Sequence, residues 1–171
     1  FGIIKTLKLF VDEAVSLNQE IKFFASEWSP PPWMKTSENI IGGTLKAGYE
    51  KMIAIYFRKF IEAYEKEGIP IYAITIQNEP NFTPDSYPGM RLSPEQEKNI
   101  AIAVFEEFND TASGKRHIGT RIWINDHNMN HWVNADKVLN YLEDMGKEQT
   151  VDGVAFHNYN PMASPSNMSK L

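Results

Sequence analysis

The apolar positions of the chain alternate between helical spacing and short β-type runs. Ile3, Leu7, Phe10, Ala14 and Leu17 recur at helical intervals and predict a first helix over 3–17. Ile21-Lys22-Phe23-Phe24-Ala25-Ser26 then reads as a strand, followed by a proline- and tryptophan-rich loop from Trp28 to about Gly43. The most sharply patterned helix carries Leu45, Tyr49, Met52, Ile53, Tyr56, Phe57, Phe60, Ile61 and Tyr64 as one stripe. It is stopped by Gly68 and Pro70. The β-branched run Ile71 to Ile76 predicts a second strand. Ser93-Pro94-Glu95-Gln96 supplies a serine cap, a first-position proline and a capping-box glutamine for a helix whose apolar face is Ile100, Val104, Phe105 and Phe108, with Gly114 as its stop. Arg121 to Ile124 predicts a third strand, His131 to Met145 a helix with Val138, Leu139 and Leu142 inward, and Val151 to Tyr159 a fourth strand. The tail from Pro161 to Leu171 is polar and turn-rich.

An α(βα)(βα)(βα)β series means parallel strands joined by helical crossovers. Both an open doubly wound sheet and a closed eight-stranded barrel carry that signature. Strand parity favours the barrel. In the second strand Tyr72, Ile74 and Ile76 are expected to face the helices, and Ala73, Thr75, Gln77 and Glu79 the interior. Polar residues gathered at the C-terminal end of an inner row are where barrel active sites are built, although a whole barrel needs eight strands and about 250 residues.

Composition narrows the classes of function. Of 171 residues, 42% are hydrophobic, which suits one globular unit with a sizeable core. The net charge of −5 without a basic tract argues against nucleic acid or an anionic membrane as partner. Cysteine is absent, which removes disulfide and thiolate chemistry. No apolar run is long enough to span a bilayer, and the opening Phe1-Gly2-Ile3-Ile4 runs straight into helix, as expected of a chain cut from something larger.

All four strands end in polar or aromatic clusters: Ser26-Glu27-Trp28-Ser29, Gln77-Asn78-Glu79-Pro80, Asn125-Asp126-His127-Asn128 and His157-Asn158-Tyr159. Four such ends on one edge of a parallel sheet imply a shared polar cleft. A strand-end glutamate beside an asparagine can protonate a glycosidic oxygen, provided that partial burial or a second carboxylate lets it hold its proton. That makes Glu79 the candidate acid. The other reading of Glu79 is a carboxylate capping the turn before Pro80. Asn78 can hydrogen-bond a sugar hydroxyl next to the scissile bond. Trp28 and Trp33 can stack on a sugar face, or Trp33 can pack in the core. His157 shares the inward face of the last strand with Tyr159 and can orient a carboxylate.

Other motifs fail on chemistry. Gly43 to Gly48 has Walker-like glycine spacing, but Tyr49 stands where the phosphate-binding lysine belongs. His127 and His131 lie four apart without the glutamate of a zinc-protease helix, and no metal site or cofactor is expected. Glycosylation sequons occur at Asn81, Asn109 and Asn167, and a glycan on Asn81 would crowd the cleft.

Several ordered blocks together resemble glycoside hydrolase family 30, which includes glucosylceramidases, endo-β-1,6-glucanases and xylan-cleaving enzymes. They are Ala25-Ser26-Glu27-Trp28-Ser29-Pro30-Pro31-Pro32-Trp33-Met34-Lys35-Thr36, Gly42-Gly43-Thr44-Leu45 and Tyr56-Phe57-Arg58-Lys59-Phe60, then Gly68 through Pro80, Tyr87-Pro88-Gly89-Met90 and Asp152 through Tyr159. The resemblance implies a catalytic (β/α)8 TIM barrel with an added β-sandwich. Residues 1–171 would be a partial barrel of that fold, about strands 3–6 with their helices, lacking strands 1–2 and 7–8. It implies Glu79 as acid/base of a retaining β-glycoside hydrolase, Asn78 as its sugar-binding neighbour, Trp28 as a subsite residue, His157 and Tyr159 as cleft residues, and Asp126 as a residue just behind them. The expected substrate is a β-linked glucan or glucosyl conjugate, and the expected setting of the parent enzyme is extracellular or periplasmic.

The sequence departs from the family pattern at two points. Glu27 stands where relatives commonly have proline, so that it either alters a subsite or faces solvent. The family's nucleophile is a glutamate on the seventh strand, beyond the elements seen here, so the isolated chain is expected to be inactive. The competing expectation is a non-catalytic carbohydrate-binding remnant using Trp28 and Tyr159, and a xylan-cleaving parent is a further alternative. Exposed sheet edges on a half-barrel would also allow self-association.

Overall fold

A computed structural model describes residues 2–159; the predicted tail and the Asn167 sequon lie outside the described residues. The elements are α1 (Gly2–Ser16), β1 (Phe23–Ser26), α2 (Glu50–Lys66), β2 (Ile71–Thr75), α3 (Pro94–Asn109), β3 (Arg121–Asn128), α4 (Trp132–Asp144) and β4 (Gly153–His157). The four strands form one parallel sheet in the order β1-β2-β3-β4. Each strand lies beside its predecessor with no reversal of order. A doubly wound sheet reverses order at its switch point, so this progression is that of a singly wound barrel wall.

Local signals set most boundaries. Gly68, at φ +79°, ends α2: its N–H donates to Glu65 O (2.8 Å) and the Ile69 N–H to Tyr64 O (3.0 Å), the paired bonds of a Schellman cap. The capping box of α3 forms as the sequence predicts, with Gln96 N–H donating to Ser93 Oγ at 3.2 Å and Ser93 N–H to Gln96 Oε1 at 3.0 Å. Leu45 and Tyr49, expected in the second helix, fall outside α2, because Lys35 and Leu45 pair in an isolated antiparallel bridge and Tyr49 caps α2 from outside. The predicted stop Gly114 lies beyond the end of α3, in a turn that follows Asn109.

The main core lies between α2, α3 and α4 and one face of the sheet, where Ile71, Ile74, Ile76, Ile122 and Ile124 meet Ile53, Phe57, Ile61, Ile100, Val104, Phe108, Val138 and Leu142. The register row Ser26, Thr75, Trp123 and Gly153 belongs to the opposite face. Strict alternation fails at two bulges. On β2, Phe23 pairs with Ile71 but Phe24 with Ala73, leaving Tyr72 as the extra residue. Tyr72 therefore does not face the helices as parity predicts; its ring stands edge-on to Trp123 at 6.3 Å. On β3, Asn125 pairs with Ala155 and His127 with Phe156, leaving Asp126 as the extra residue. β3 also runs beyond the predicted Ile124, so the polar cluster Asn125 to Asn128 is part of the strand.

Candidate active site

The C-terminal ends of the strands converge on one buried acid, Asp126. Asn125 and Asp126 adopt left-handed backbone angles, φ +71° and +41°. Such angles in non-glycine residues cost on the order of 1 kcal/mol and need outside support. Glu97, in the first turn of α3 and 1% exposed, gives that support by accepting the Asn125 N–H at 2.7 Å. The bulge turns Asp126 to the inner face, where Oδ2 accepts the Ser26 hydroxyl (2.5 Å) and the Thr75 hydroxyl (2.7 Å). Three neighbouring strands thus meet at one carboxyl group.

Glu79 is held just as firmly. Its φ is +47°, and the loop after β2 is stitched to both sides: Asn78 N–H donates to Glu27 O at 2.7 Å and Glu79 N–H to Asp126 O at 2.9 Å. His157, at the end of β4, bridges the two acids. Its Nδ1 is 3.0 Å from Glu79 Oε1, and its Nε2 is 3.0 Å from Asp126 Oδ1. Each contact needs one hydrogen between the partners, carried by the ring nitrogen or by the carboxyl group. The arrangement is a carboxyl–imidazole pair oriented from behind by a buried carboxyl group.

Around this centre the sequence candidates are unevenly arranged. Trp28 lies at the rim, half exposed, with its ring 5.6 Å from that of Tyr87. Its carbonyl accepts Gln77 Nε2 at 2.9 Å. Tyr159 is 81% exposed and meets His157 edge-on at 5.4 Å, with its N–H donating to Asn128 Oδ1 at 3.2 Å. Asn78 is half-buried beside Glu79. Trp33 is neither in the core nor in the cleft; it is exposed, tilted against Tyr49 at 6.1 Å. His127 stacks face to face on His131 at 3.8 Å, and burial, with His131 next in effect, pushes it down to about 4, so it stays neutral. No group of three or more His, Asp or Glu side chains among the described residues is arranged to hold a metal ion. The Asn81 amide nitrogen is buried, which removes it from reach of a glycan.

Glu27 does not face solvent. Both its carboxyl oxygens are buried without a hydrogen-bond partner among the described residues, beside a cavity of about 300 Å³ lined by Trp28, Ile40, Tyr56, Phe60 and Pro88. Burial pushes Glu27 up to about 8 against the opposing pull of Lys35, and pushes Glu97 up to about 7. Both groups hold a proton in the folded state that they lose, unfolded, near 4.5. Their contribution to stability is therefore complete below about 4.5 and is lost as pH rises toward about 7 to 8. The urea midpoint of the chain is expected to fall between about pH 5 and about pH 8, with a shallower fall in Glu27→Gln. A midpoint that rises across that interval would contradict the burial of these acids.

Sequence reasoning placed Ser26 in a strand-end cluster and Thr75 on the inner row without a role for either, and missed Glu97. Glu97 shares the stripe of Ile100, Ala101, Val104 and Phe108 at helical spacing, which is the signal that it is buried and not a solvated first-turn acid.

The model of the glycosyl hydrolase family 30 TIM-barrel domain matches residues 5–170. The chain belongs to that family. An endo-1,6-β-D-glucanase of Aspergillus fumigatus is 34% identical over 161 residues, 85% of this chain and 31% of the relative. The lysosomal acid glucosylceramidase of Mus musculus is 26% identical over 159 residues, 87% of this chain and 29% of the relative. Among solved structures, an endo-β-1,6-glucanase superposes with a TM-score of 0.76 at 30% identity, covering 92% of this chain and 35% of that one. The chain thus spans about a third of the length of the curated relatives it matches. Its four strands and their helices are part of a (β/α)8 barrel.

Proposed function

We propose that the parent protein is a retaining β-glycoside hydrolase acting on a β-1,6-glucan or a glucosyl conjugate, with Glu79 as its acid/base. The observation that carries this reading is the Glu79–His157–Asp126 chain, in which a half-buried glutamate at a strand end lies 3.0 Å from an oriented imidazole. In the first half of a retaining reaction an acid protonates the departing glycosidic oxygen. In the second half the same group, now a base, takes a proton from water. Glu79 suits both halves, because its carboxyl group is in hydrogen-bond contact with His157 and Asp126 holds the imidazole in place.

Asn78, adjacent to Glu79, is assigned to a sugar hydroxyl beside the scissile bond, an interaction that strengthens at the transition state. Trp28 and Tyr159 are assigned to sugar contacts, since each presents a ring at the cleft opening. Two relatives support a glucose-type substrate by name, an endo-1,6-β-D-glucanase and a glucosylceramidase.

The retaining reaction also needs a second carboxyl about 5–5.5 Å from the first, to form the glycosyl-enzyme bond. We assign that group to the remainder of the parent and the strands seen here to barrel strands 3–6, in keeping with relatives that are much longer. The 171-residue chain alone is accordingly expected to show no hydrolysis of aryl β-glucosides, while the full-length parent turns them over. Turnover by the purified chain that Glu79→Gln abolishes would show that the second carboxyl is already present.

A further inference from the structure

A lysine in Trp33-Met34-Lys35-Thr36 would ordinarily reach into water, yet Lys35 is fully buried. An ammonium has three N–H donors, and each is used. Nζ donates to Ser29 Oγ at 2.9 Å, to Ile40 O at 2.8 Å and to Gly89 O at 2.8 Å. The three acceptors are uncharged and come from two loops, Ser29 and Ile40 from the one after β1 and Gly89 from the one after β2. Ser29 follows Trp28 directly, and Gly89 lies two residues after Tyr87. Ile40 lies between them and also accepts the Gly89 N–H at 3.0 Å.

The backbone of Lys35 is itself fixed. Its N–H donates to Pro32 O at 3.0 Å, it pairs with Leu45, and the Lys46 N–H donates to Met34 O at 2.9 Å. The Gly89 turn has no slack, since a Cβ there would lie 2.4 Å from Pro84 Cγ. One rigid cation therefore ties the loop after β1 to the loop after β2, at the base of the Trp28 and Tyr87 rings, which touch at a tilt of 57° with centroids 5.6 Å apart.

Burying an ammonium is costly unless directed bonds compensate. An apolar side chain would fill the same space without that cost. What the ammonium adds is direction, three bonds that set the distance between loops. We propose that Lys35 is a positioning residue that fixes Trp28 and Tyr87 as one tilted aromatic surface for a sugar ring, and so governs substrate affinity more than the chemical step. The loop geometry is independent of the reaction, whereas the sugar-binding part rests on the glycosidase reading above.

The test uses the full-length parent with Lys35→Met, which keeps the stem and removes the donors, and Ser29→Ala, which removes one acceptor. Kinetics on an aryl β-glucoside are read beside the near-UV circular dichroism that Trp28→Phe identifies as belonging to Trp28. Lys35→Met is expected to raise KM about tenfold with kcat nearly unchanged and to remove the Trp28 band; Ser29→Ala is expected to do the same to a smaller degree. A Trp28 band identical to wild type in either folded variant, or a loss of kcat at constant KM, overturns the proposal. If Lys35→Met does not fold, Ser29→Ala decides by the same criteria. If the wild-type parent shows no turnover, the glycosidase reading fails, and the Trp28 band alone still decides whether Lys35 sets the rings.

Discussion

Replacing Glu79 with glutamine in the full-length parent is expected to lower kcat on substrates with poor leaving groups by about 10² to 10⁴-fold, the usual worth of a positioned general acid. Glutamine preserves the side-chain shape, so the loop should stay in place, stitched by the Asn78 and Glu79 backbone bonds to Glu27 and Asp126. The loss should depend on the leaving group. A dinitrophenolate departs without a proton, so its glycoside should lose far less in the bond-breaking step than an alkyl glucoside. A Glu79→Ala variant should also regain turnover with azide, a small anion that attacks the glycosyl-enzyme without needing a base. Equal losses on both kinds of substrate, with no response to azide, would remove Glu79 from the role of acid/base.

Asp126→Ala is expected to be the most damaging change to the site as a structure. It removes the acceptor of the Ser26 and Thr75 hydroxyls and of the His157 ring, all at a residue 4% exposed. Leaving several buried donors unpaired costs about 2–4 kcal/mol in total, which urea unfolding should detect directly. Asp126→Asn should separate structure from chemistry. Its amide can satisfy most of these partners once the two hydroxyls rotate to accept, so stability should recover substantially. A neutral amide cannot balance a charged His157, however, and kcat should remain lower by about ten- to a hundredfold. An asparagine variant with wild-type kcat would mean that the reaction does not need a charge at position 126.

Much of this site was legible before any coordinates. Periodicity gave the order of helices and strands, and the Ser93 and Gly68 caps were readable because capping is local chemistry. Glu79, Trp28 and His157 could be named as candidates because strand ends in a parallel sheet collect on one edge, whatever the crossovers do in between. The family resemblance turned Glu79 from one of two readings into the leading candidate and named Asp126, which alternation along β3 would have pointed toward the helices.

Other features had no local signature. The bulge that turns Asp126 inward depends on how β3 registers against β4 and on Glu97 reaching from α3 to the Asn125 N–H. Tyr72 was assigned to the wrong face for the same reason, a bulge on β2 that only the pairing with β1 reveals. Glu27 was left open between a subsite and solvent and nothing in the sequence singled out Lys35, and both are buried.

By itself the sequence determined the elements, their parallel order and the strand end that carries the acid, because these follow from repeats a few residues long. The tertiary structure decided which acid is oriented, which charges are buried and which loops are tied together. Those depend on register between strands and on the desolvation of side chains by segments 50 to 100 residues away, as in Lys35 with Gly89 and Ser26 with Asp126, and no local pattern encodes either.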